Sequence, residues 1–371
     1  RFGRTADRFI LIGNDVLDTG QGEDVLNALL NLSILVHYGA EGGISIFPPR
    51  EHCNSQGVND MGVTPDHLPG YGPLTDSAAL STLGSEWGVG SLQFSDNNPA
   101  SNLFENCING TIKFLHIAGE DPVHSYYKGA LVKNALNTVP FLVVQDVYMT
   151  DTARMADIVL PTTTFAEKEG TFTNMTRHVQ RVTPATRPQG QSKTDHDIFV
   201  DLAEAFGKPF VNTAVSEVQG EISRTVAGYK ERFPGTNSKQ WAPEGFTQKS
   251  SFHISRPCVE REKKSGYPFQ LVSNNHMFHI GSYTHYAKAL TDIGPDCIAE
   301  LNPQDARELN IDDGDRIVIE SDAHKLEVQA KANPVTAKGM VYVPKNWVSI
   351  PLNLLRNGEE GPVSIKISKA N

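Results

Sequence analysis

The sequence predicts an α/β chain in which a parallel sheet is followed by a small closed β-barrel. Two observations carry that prediction. Continuous apolar runs at 9–12, 114–118, 141–144 and 158–160 alternate with helical patterns over the first two thirds of the 371 residues, as strands covered on both faces by helices do. From Tyr267 the texture changes to short alternating strands punctuated by Gly, Asp and Pro, which suits a barrel. The length is enough for two or three domains with a sizeable core.

Each element has a local reason. The run at 9–12 stops abruptly at the polar loop Gly13-Asn14-Asp15. Val25, Leu26, Leu29, Leu30 and Leu32 then recur at helical spacing, with Gly39 placed to cap the C-terminus. Residues 42–73 are rich in Gly, Pro and Asn without a period; such a segment inside a compact domain is either functional or disordered. The strand at 114–118 is stopped by Gly119, a helix is expected from about 126 to 136, and strands at 141–144 and 158–160 follow. Thr194 is placed to cap a helix reaching Phe206, with Asp197 three residues on and Gly207 and Pro209 behind it. A further helix is expected over about 215–233. Residues 234–264, with the charge run Glu260-Arg261-Glu262-Lys263-Lys264, read as a solvated connector. In the last third, 269–272 is a strand and Asn302-Pro303 opens a short helix carrying Ala306 and Leu309 inward. Strands follow at 316–319, 326–330 and 339–343.

Composition narrows the function. Thirty-three Lys and Arg against 43 Asp and Glu leave a formal charge of −10, which disfavours a nucleic-acid binder, because such a protein needs a basic face to neutralise phosphates. No apolar run approaches the roughly 20 residues that span a bilayer. The opening Arg1-Phe2-Gly3-Arg4-Thr5 lacks the apolar stretch of a signal peptide and runs almost directly into a strand, as expected of a piece of a longer chain. Cys53, Cys107, Cys258 and Cys297 are scattered singly. That pattern points to buried thiols in a reducing, cytoplasmic setting, and away from a zinc or iron–sulfur site within this chain. The 12 histidines include no His-Glu-x-x-His pair, so no metal ligand is assigned.

Chemistry is expected where strands end, at Gly13-Asn14-Asp15, Gly119-Glu120-Asp121-Pro122 and Gln145-Asp146. Ligands of open parallel sheets bind beyond the carboxyl ends of the strands, where backbone N–H groups converge. Gly119 allows close backbone approach, and Asp121 or Asp146 can accept two hydrogen bonds from a group with adjacent donors, as guanine has. The same Gly-Glu-Asp-Pro loop also reads as an ordinary strand-to-helix turn with a capping carboxylate. Neither Gly-x-Gly-x-x-Gly after a strand nor a P-loop sequence is present, so nicotinamide-type and P-loop nucleotide binding lack their fingerprints. The densest polar stretch, from Gln145 to Arg181, crowds Thr150, Thr152, Asp157, Thr162, Thr163, Thr164, Glu167, Thr171, Thr173, Asn174 and Arg177 together. It suits a phosphorylated ligand rich in hydrogen-bonding groups, or a threonine-rich surface loop.

This stretch, with Ala118-Gly119-Glu120-Asp121-Pro122 and Cys53-Asn54-Ser55-Gln56-Gly57-Val58-Asn59-Asp60-Met61-Gly62, resembles the molybdopterin oxidoreductase superfamily from about residue 8 to the C-terminus. That group includes formate dehydrogenases, nitrate and dimethyl-sulfoxide reductases, and the G subunit of NADH-quinone oxidoreductase (complex I). The resemblance implies that Gly119, Glu120, Asp121, Gln145 and Asp146 hold one guanosine of a bis-molybdopterin guanine dinucleotide, with Thr150 and Asp157 near the same nucleotide. Gly13, at the first strand end, is counted with these cofactor-binding residues. The region from Tyr267 is similar to the family's double-psi β-barrel, whose first loop closes over the cofactor; His279, Ser282 and Thr284 fall on it. Arg50 stands where formate dehydrogenases place a substrate-positioning, catalytic arginine. After Pro48-Pro49 it also reads as an exposed loop charge.

Departures from the family pattern shape the expected function. The family's catalytic cysteine, selenocysteine or serine and its iron–sulfur cysteines lie upstream of anything present here. Asn274-Asn275 stand where the family often has Gly-Arg, so an expected cation for the pyrophosphate is missing. The ending from Asn346 to Asn353, and the segment from His279 to Thr284, look more like the complex I protein than a formate dehydrogenase. The expected organisation is an α/β region of parallel-sheet, Rossmann-like layers over 1–210, dividing near residue 52. A helical and polar connector over 211–264 and a double-psi β-barrel domain over 265–371 complete it. The expected function is part of a redox subunit passing electrons from NADH to quinone; the alternative is the cofactor-binding portion of a formate dehydrogenase. Molybdopterin guanine dinucleotide is the implied cofactor, although some complex I subunits keep the scaffold as a vestige without it. The implied partners are N-terminal iron–sulfur domains of the same polypeptide, which carry the clusters, and other subunits of a cytoplasmic redox complex. That complex would lie peripherally on the inner face of the membrane, without direct insertion of this chain. Alone, the fragment is expected to be redox-silent.

Overall fold

The computed structural model describes residues 8–17, 21–39, 44–50, 52–90, 92, 102–226, 228–229, 254, 264–277, 279, 281–293, 297–356 and 362–370. Most of the connector assigned to 211–264 therefore lies outside the described residues, as does Cys258.

Strands β1 (Arg8–Leu11) and β2 (Ile44–Phe47) pair in parallel around the helix Gly22–Gly39. Part of the segment expected to be irregular is thus regular. Besides β2 it contains the helix Ser55–Asp60 and the antiparallel pair β3 (His67–Leu68) and β4 (Gly72–Pro73). Each piece is too short to show a period in sequence. Gly39 is the last helical residue rather than the one beyond it.

The central sheet is β5 (Phe114–Ala118), β6 (Phe141–Asp146) and β7 (Ile158–Pro161), all parallel and in that order. One face packs Leu115, Leu142 and Val144 against Cys107, Val132, Ala135 and Leu136 of the helices Leu103–Ile108 and Gly129–Thr138. On the other face Val143 and Gln145 are buried, and His116 meets Phe199 of the helix Asp195–Ala205 at 5.6 Å between ring centroids. β6 is covered from both sides, as its unbroken apolar run predicts; each large side chain buried this way contributes about 1.5–3 kcal/mol. The expected helix at 126–136 begins only at Gly129, because a separate short helix, Pro122–Ser125, follows Asp121. The helix Val215–Thr225 stops short of 233 because Val226 and Tyr229 turn into a core with Val179. The threonine-rich stretch holds an antiparallel hairpin, β8 (Gly170–Thr173) with β9 (Val179–Val182).

The last third is the closed barrel. Its strands β10 (Phe269–Val272), β11 (Ile298–Leu301), β12 (Arg316–Glu320), β13 (Lys325–Ala332), β14 (Met340–Tyr342) and β15 (Val363–Lys369) close in the order β10-β14-β11-β13-β12-β15. The pairs β10–β14 and β11–β13 are parallel and the rest antiparallel. Period-two alternation turns Ile317, Ile319, Val328, Ala330, Val363 and Ile365 into one core. The helix Pro303–Glu308 starts as expected, with Asn302 Oδ1 accepting from Gln304 N at 2.9 Å and Ala306 buried. No helix among the described residues is long and apolar enough to cross a membrane.

Candidate functional site

The carboxyl ends of β5 and β6 bring four of the expected residues together. Gly119 follows β5 with φ +67°, and its N–H donates to Gln145 O at 2.8 Å. That backbone conformation suits glycine, and nothing lies within 4 Å of where a Cβ would stand, so space is open in front of it. Asp121 is buried, and its Oδ1 accepts from Thr152 Oγ1 at 2.6 Å and from Thr152 N at 3.3 Å. Asp146 is buried at the end of β6, and its Oδ1 accepts from Val147 N at 2.6 Å and Tyr148 N at 3.4 Å. Burial raises the Asp146 pKa; the N–H groups of Tyr148 and Val147 oppose the rise, and the charges of Asp121 and Glu120 add to it. The acids are thus near enough to repel one another. Glu120 itself is exposed and accepts from Ser125 Oγ.

A polar layer supports these ends from behind. Fully buried Gln145 donates from Nε2 to Asp195 Oδ1 at 2.7 Å, and its side chain also meets the His116 imidazole on the same face of the sheet. Asp195 also accepts from Thr162 Oγ1 at 2.7 Å and from Lys168 Nζ. Although burial works the other way, Lys168, Gln145 and Thr162 hold the Asp195 carboxyl below its ordinary pKa. Asp195, Thr162 and Lys168 do not stand out in sequence as a group. Asp195 reads there only as the first residue after the Thr194 cap, which the structure contains as Thr194 Oγ1 accepting from Asp197 N at 3.1 Å.

The barrel's first loop closes over the strand ends. Tyr148, leaving β6, stacks on Tyr286 of that loop at 4.3 Å and 15°, and meets Tyr283 edge-on at 5.6 Å. Tyr286 Oη donates to Met149 O at 3.1 Å. The Tyr283 pKa is pushed up to about 12, first by burial and then by the charges of Asp146 and Asp195. His279 and Thr284 shape this loop: His279 Nε2 lies 2.9 Å from Asn346 O, its Nδ1 lies 3.0 Å from Thr284 Oγ1, and its ring rests 4.5 Å from Trp347. Thr284 Oγ1 also donates to Gly281 O at 2.8 Å, so this hydroxyl ties the loop's own backbone to the His279 ring. Ser282 opens the helix Ser282–His285. Beside the loop runs a cleft of about 540 Å³ between the α/β region and the barrel, with His124, Ser125, Asn274, Trp347 and Arg356 among its walls.

Of the remaining expected residues, Asp157 lies at the far end of β6, Thr150 borders the convergence two residues before the Thr152 that bonds Asp121, and Gly13 and Arg50 follow β1 and β2. Asp157 Oδ2 accepts from Leu142 N at 2.7 Å, which fastens the amino end of β6, the opposite end from Asp146. Thr150 is buried as the N-cap of Asp151–Arg154, accepting from Ala153 N at 3.1 Å, so its hydroxyl is committed to a helix. Gly13 lies just past the carboxyl end of β1, exposed and with open space at its Cβ position. Arg50 is exposed three residues beyond β2 and makes no hydrogen bond or ion pair to a described residue. Tyr148, Tyr283, Tyr286, Trp347 and Arg356 are functional candidates that sequence reasoning misses. The tyrosines pair across 138 residues, a distance at which sequence gives no periodic signal.

Comparison with known proteins agrees with this geometry. Residues 5–205 match the family described as molybdopterin oxidoreductase, and residues 269–367 match the molydopterin dinucleotide binding domain. The chain is 29% identical to the NADPH-Fe(3+) oxidoreductase subunit alpha of Geobacter sulfurreducens, over 97% of this chain and 41% of that protein. It is 29% identical to the NADH-quinone oxidoreductase G 2 subunit of Rhizobium meliloti, over 96% and 42%. With the F420-dependent formate dehydrogenase subunit alpha of Methanocaldococcus jannaschii the identity is 31%, over 96% and 56%. The chain thus spans about half the length of the curated relatives it matches. Among solved structures, acetylene hydratase from Pelobacter acetylenicus shares the fold, with a TM-score of 0.60 at 18% identity over 79% of this chain and 50% of that one. With its α/β region and its barrel both matched in order, the chain belongs to the molybdopterin oxidoreductase family.

Proposed function

We propose that this chain holds the guanosine end of a molybdopterin guanine dinucleotide in a redox subunit most like the G subunit of an NADH-quinone oxidoreductase. One observation carries the reading: Gly119, Asp121 and Asp146 converge at adjacent strand ends beneath the barrel's first loop. The residues fit the group. Buried carboxylates suit the adjacent N1–H and amine donors of guanine, Gly119 leaves room for a base, and Trp347 Nε1 in the neighbouring cleft is a buried donor with no acceptor among the described residues. When bound, the cofactor supplies the metal that accepts and passes on electrons. The chain's own task is to bind and orient. Asp121 and Asp146 fix the purine edge, the Gln145–Asp195–Lys168 network keeps the strand ends in place, and the tyrosine-bearing loop packs on the segment leaving β6. Glu120, exposed at the rim, orders the turn through Ser125.

On this reading the chain works with iron–sulfur domains of the same polypeptide and with further subunits of a cytoplasmic complex, peripheral to the membrane; the relatives' designations as subunits support it. A second reading, formate oxidation, is supported by the 31% identity to a formate dehydrogenase subunit and by the place of Arg50 in the resemblance. Formate-dependent against NADH-dependent dye reduction by the intact complex, with Arg50→Ala, separates the two. The test of the main proposal is the pterin, guanine and metal content of full-length protein from a molybdenum-replete, cofactor-competent host. Wild type should carry all three and Asp146→Ala should lack them; a pterin-free wild type would sink the proposal.

A further inference from the structure

Strand β5 is composed like an inner strand yet stands at the edge of its sheet. Natural edge strands are guarded by charged residues, proline or a bulge, because a bare edge pairs with other chains. From Phe114 to Ala118, β5 reads Phe-Leu-His-Ile-Ala, with no lysine, arginine, acid or proline. It keeps register with β6 throughout, from Phe114 beside Phe141 to Ala118 beside Gln145, so no bulge turns it away. Among the described residues no strand pairs with its outer edge. The other edge of the sheet is partly closed: just past β7, Thr162 bridges to Lys193, whose N–H donates to Pro161 O at 3.3 Å.

The face beside the bare edge is unfinished as well. Parallel sheets occur with both faces covered. On one face, Leu115 and Leu142 are closed over by the helices Leu103–Ile108 and Gly129–Thr138. On the other, the helix Asp195–Ala205 brings Phe199 to His116. Three strands are roughly 14 Å wide, more than the roughly 10 Å that one helix covers. Phe114 is accordingly 51% exposed, Phe141 40% and Phe199 39%, and the first two rings lie 5.8 Å apart. A contiguous aromatic patch of this kind marks a protein contact.

We infer that β5 is an inner strand in the complete polypeptide. A strand from outside these 371 residues pairs with it in parallel, and the helix joined to that strand lies across Phe114, Phe141 and Phe199. Parallel neighbours are connected through a helix that packs back on the sheet, so one strand–helix unit fills both the bare edge and the bare rings. A second copy of this chain does not, because two β5 edges related by a twofold axis pair only antiparallel and bring no connecting helix. The curated relatives run to about twice the matched length, which is chain enough for such a unit. The inference rests on the reading that this chain works within a longer polypeptide. It is independent of the guanosine site, which lies at the carboxyl ends of the strands, whereas Phe114 and Phe141 open them.

The test is photo-cross-linking in the full-length protein, with p-benzoylphenylalanine in place of Phe114 or of Phe141 and the products mapped by mass spectrometry. Both positions should cross-link, within one polypeptide, to a single segment outside the 371 residues whose apolar residues recur at helical spacing. A cross-linked dimer, a cross-link to another subunit, products confined to the 371 residues, or no product from a folded variant overturns the inference. Wild type supplies a second reading that needs no substitution. Hydrogen exchange resolved residue by residue should show the β5 amides facing away from β6 slowed by at least about a hundredfold, as paired amides are. Rapid exchange at those amides overturns the inference even if neither variant folds. Pterin content of the same samples reports separately on the proposed function: a cross-link to the outside segment in pterin-free protein keeps this inference and removes the cofactor.

Discussion

Asp146 faces opposite demands from folding and from binding, and one substitution separates them. In the folded chain burial raises its pKa, with Asp121 and Glu120 adding repulsion and two backbone N–H groups only partly compensating. A carboxyl whose folded pKa lies above its unfolded value of about 3.9 contributes stability below that value and loses it as pH rises through the folded one. At neutral pH the ionised Asp146 is therefore a burden on the cofactor-free protein. Asp146→Asn keeps an oxygen to accept from Val147 N, now 2.6 Å away, and removes the charge. Urea unfolding should show a gain on the order of 1 kcal/mol at pH 7.5, the usual size of such relief, shrinking toward pH 4. The same change should weaken guanine binding by about 2–5 kcal/mol, the cost of losing one partner of a buried charged pair. By titration with GDP that is a loss of roughly thirtyfold or more. A variant less stable than wild type at pH 7.5, or one that keeps its GDP affinity, would refute the reasoning.

Other outcomes follow from the same geometry. Asn353→Ala removes the donor to both Val123 O and Tyr126 O; at about 1–3 kcal/mol for each buried group left unpaired, denaturation should report a loss of about 2–6 kcal/mol, and a loss below about 0.5 kcal/mol would show the clasp to be idle. His279 has its pKa lowered, chiefly by burial, so its contribution is present above about pH 6.5 and lost as pH falls through the lower folded value. Indole fluorescence should change with that loss, because Trp347 lies 4.5 Å away, and an identical pH profile in His279→Gln would contradict this. Gly119→Ala should cost about 1–2 kcal/mol from backbone strain alone, since φ is +67° while the space at Cβ is open; unchanged thermal stability would remove the argument from conformation.

Local features of this fold are legible in sequence because their causes are local. The unbroken apolar run of β6, the Thr194 cap and the Asn302-Pro303 helix start each lie within a few residues of their effect. The acids at the ends of β5 and β6 are legible for the same reason, since Asp146 ends its strand and Asp121 lies three residues beyond Ala118. What escapes depends on distant partners. β11 and β15 are four and seven residues long and become strands by closing a barrel whose pairings cross the domain. β8 and β9 hide in a run of threonines whose polarity masks the alternation. The resemblance puts Asp157 near the nucleotide, whereas here its Oδ2 accepts from Leu142 N, at the opposite end of β6 from Asp146. Arg356 cannot be placed beside Ser273 from sequence, because the two are 83 residues apart and neither belongs to a periodic pattern.

The central claim is that buried carboxylates at adjacent strand ends grip the edge of guanine. Inosine diphosphate differs from GDP only by lacking the exocyclic amine, one of the two donors that a carboxylate takes at once. Comparing the two ligands on full-length, cofactor-free protein therefore tests the claim directly. The account predicts that GDP binds at least about tenfold more tightly, the worth of one charge-assisted hydrogen bond; equal affinities would contradict it.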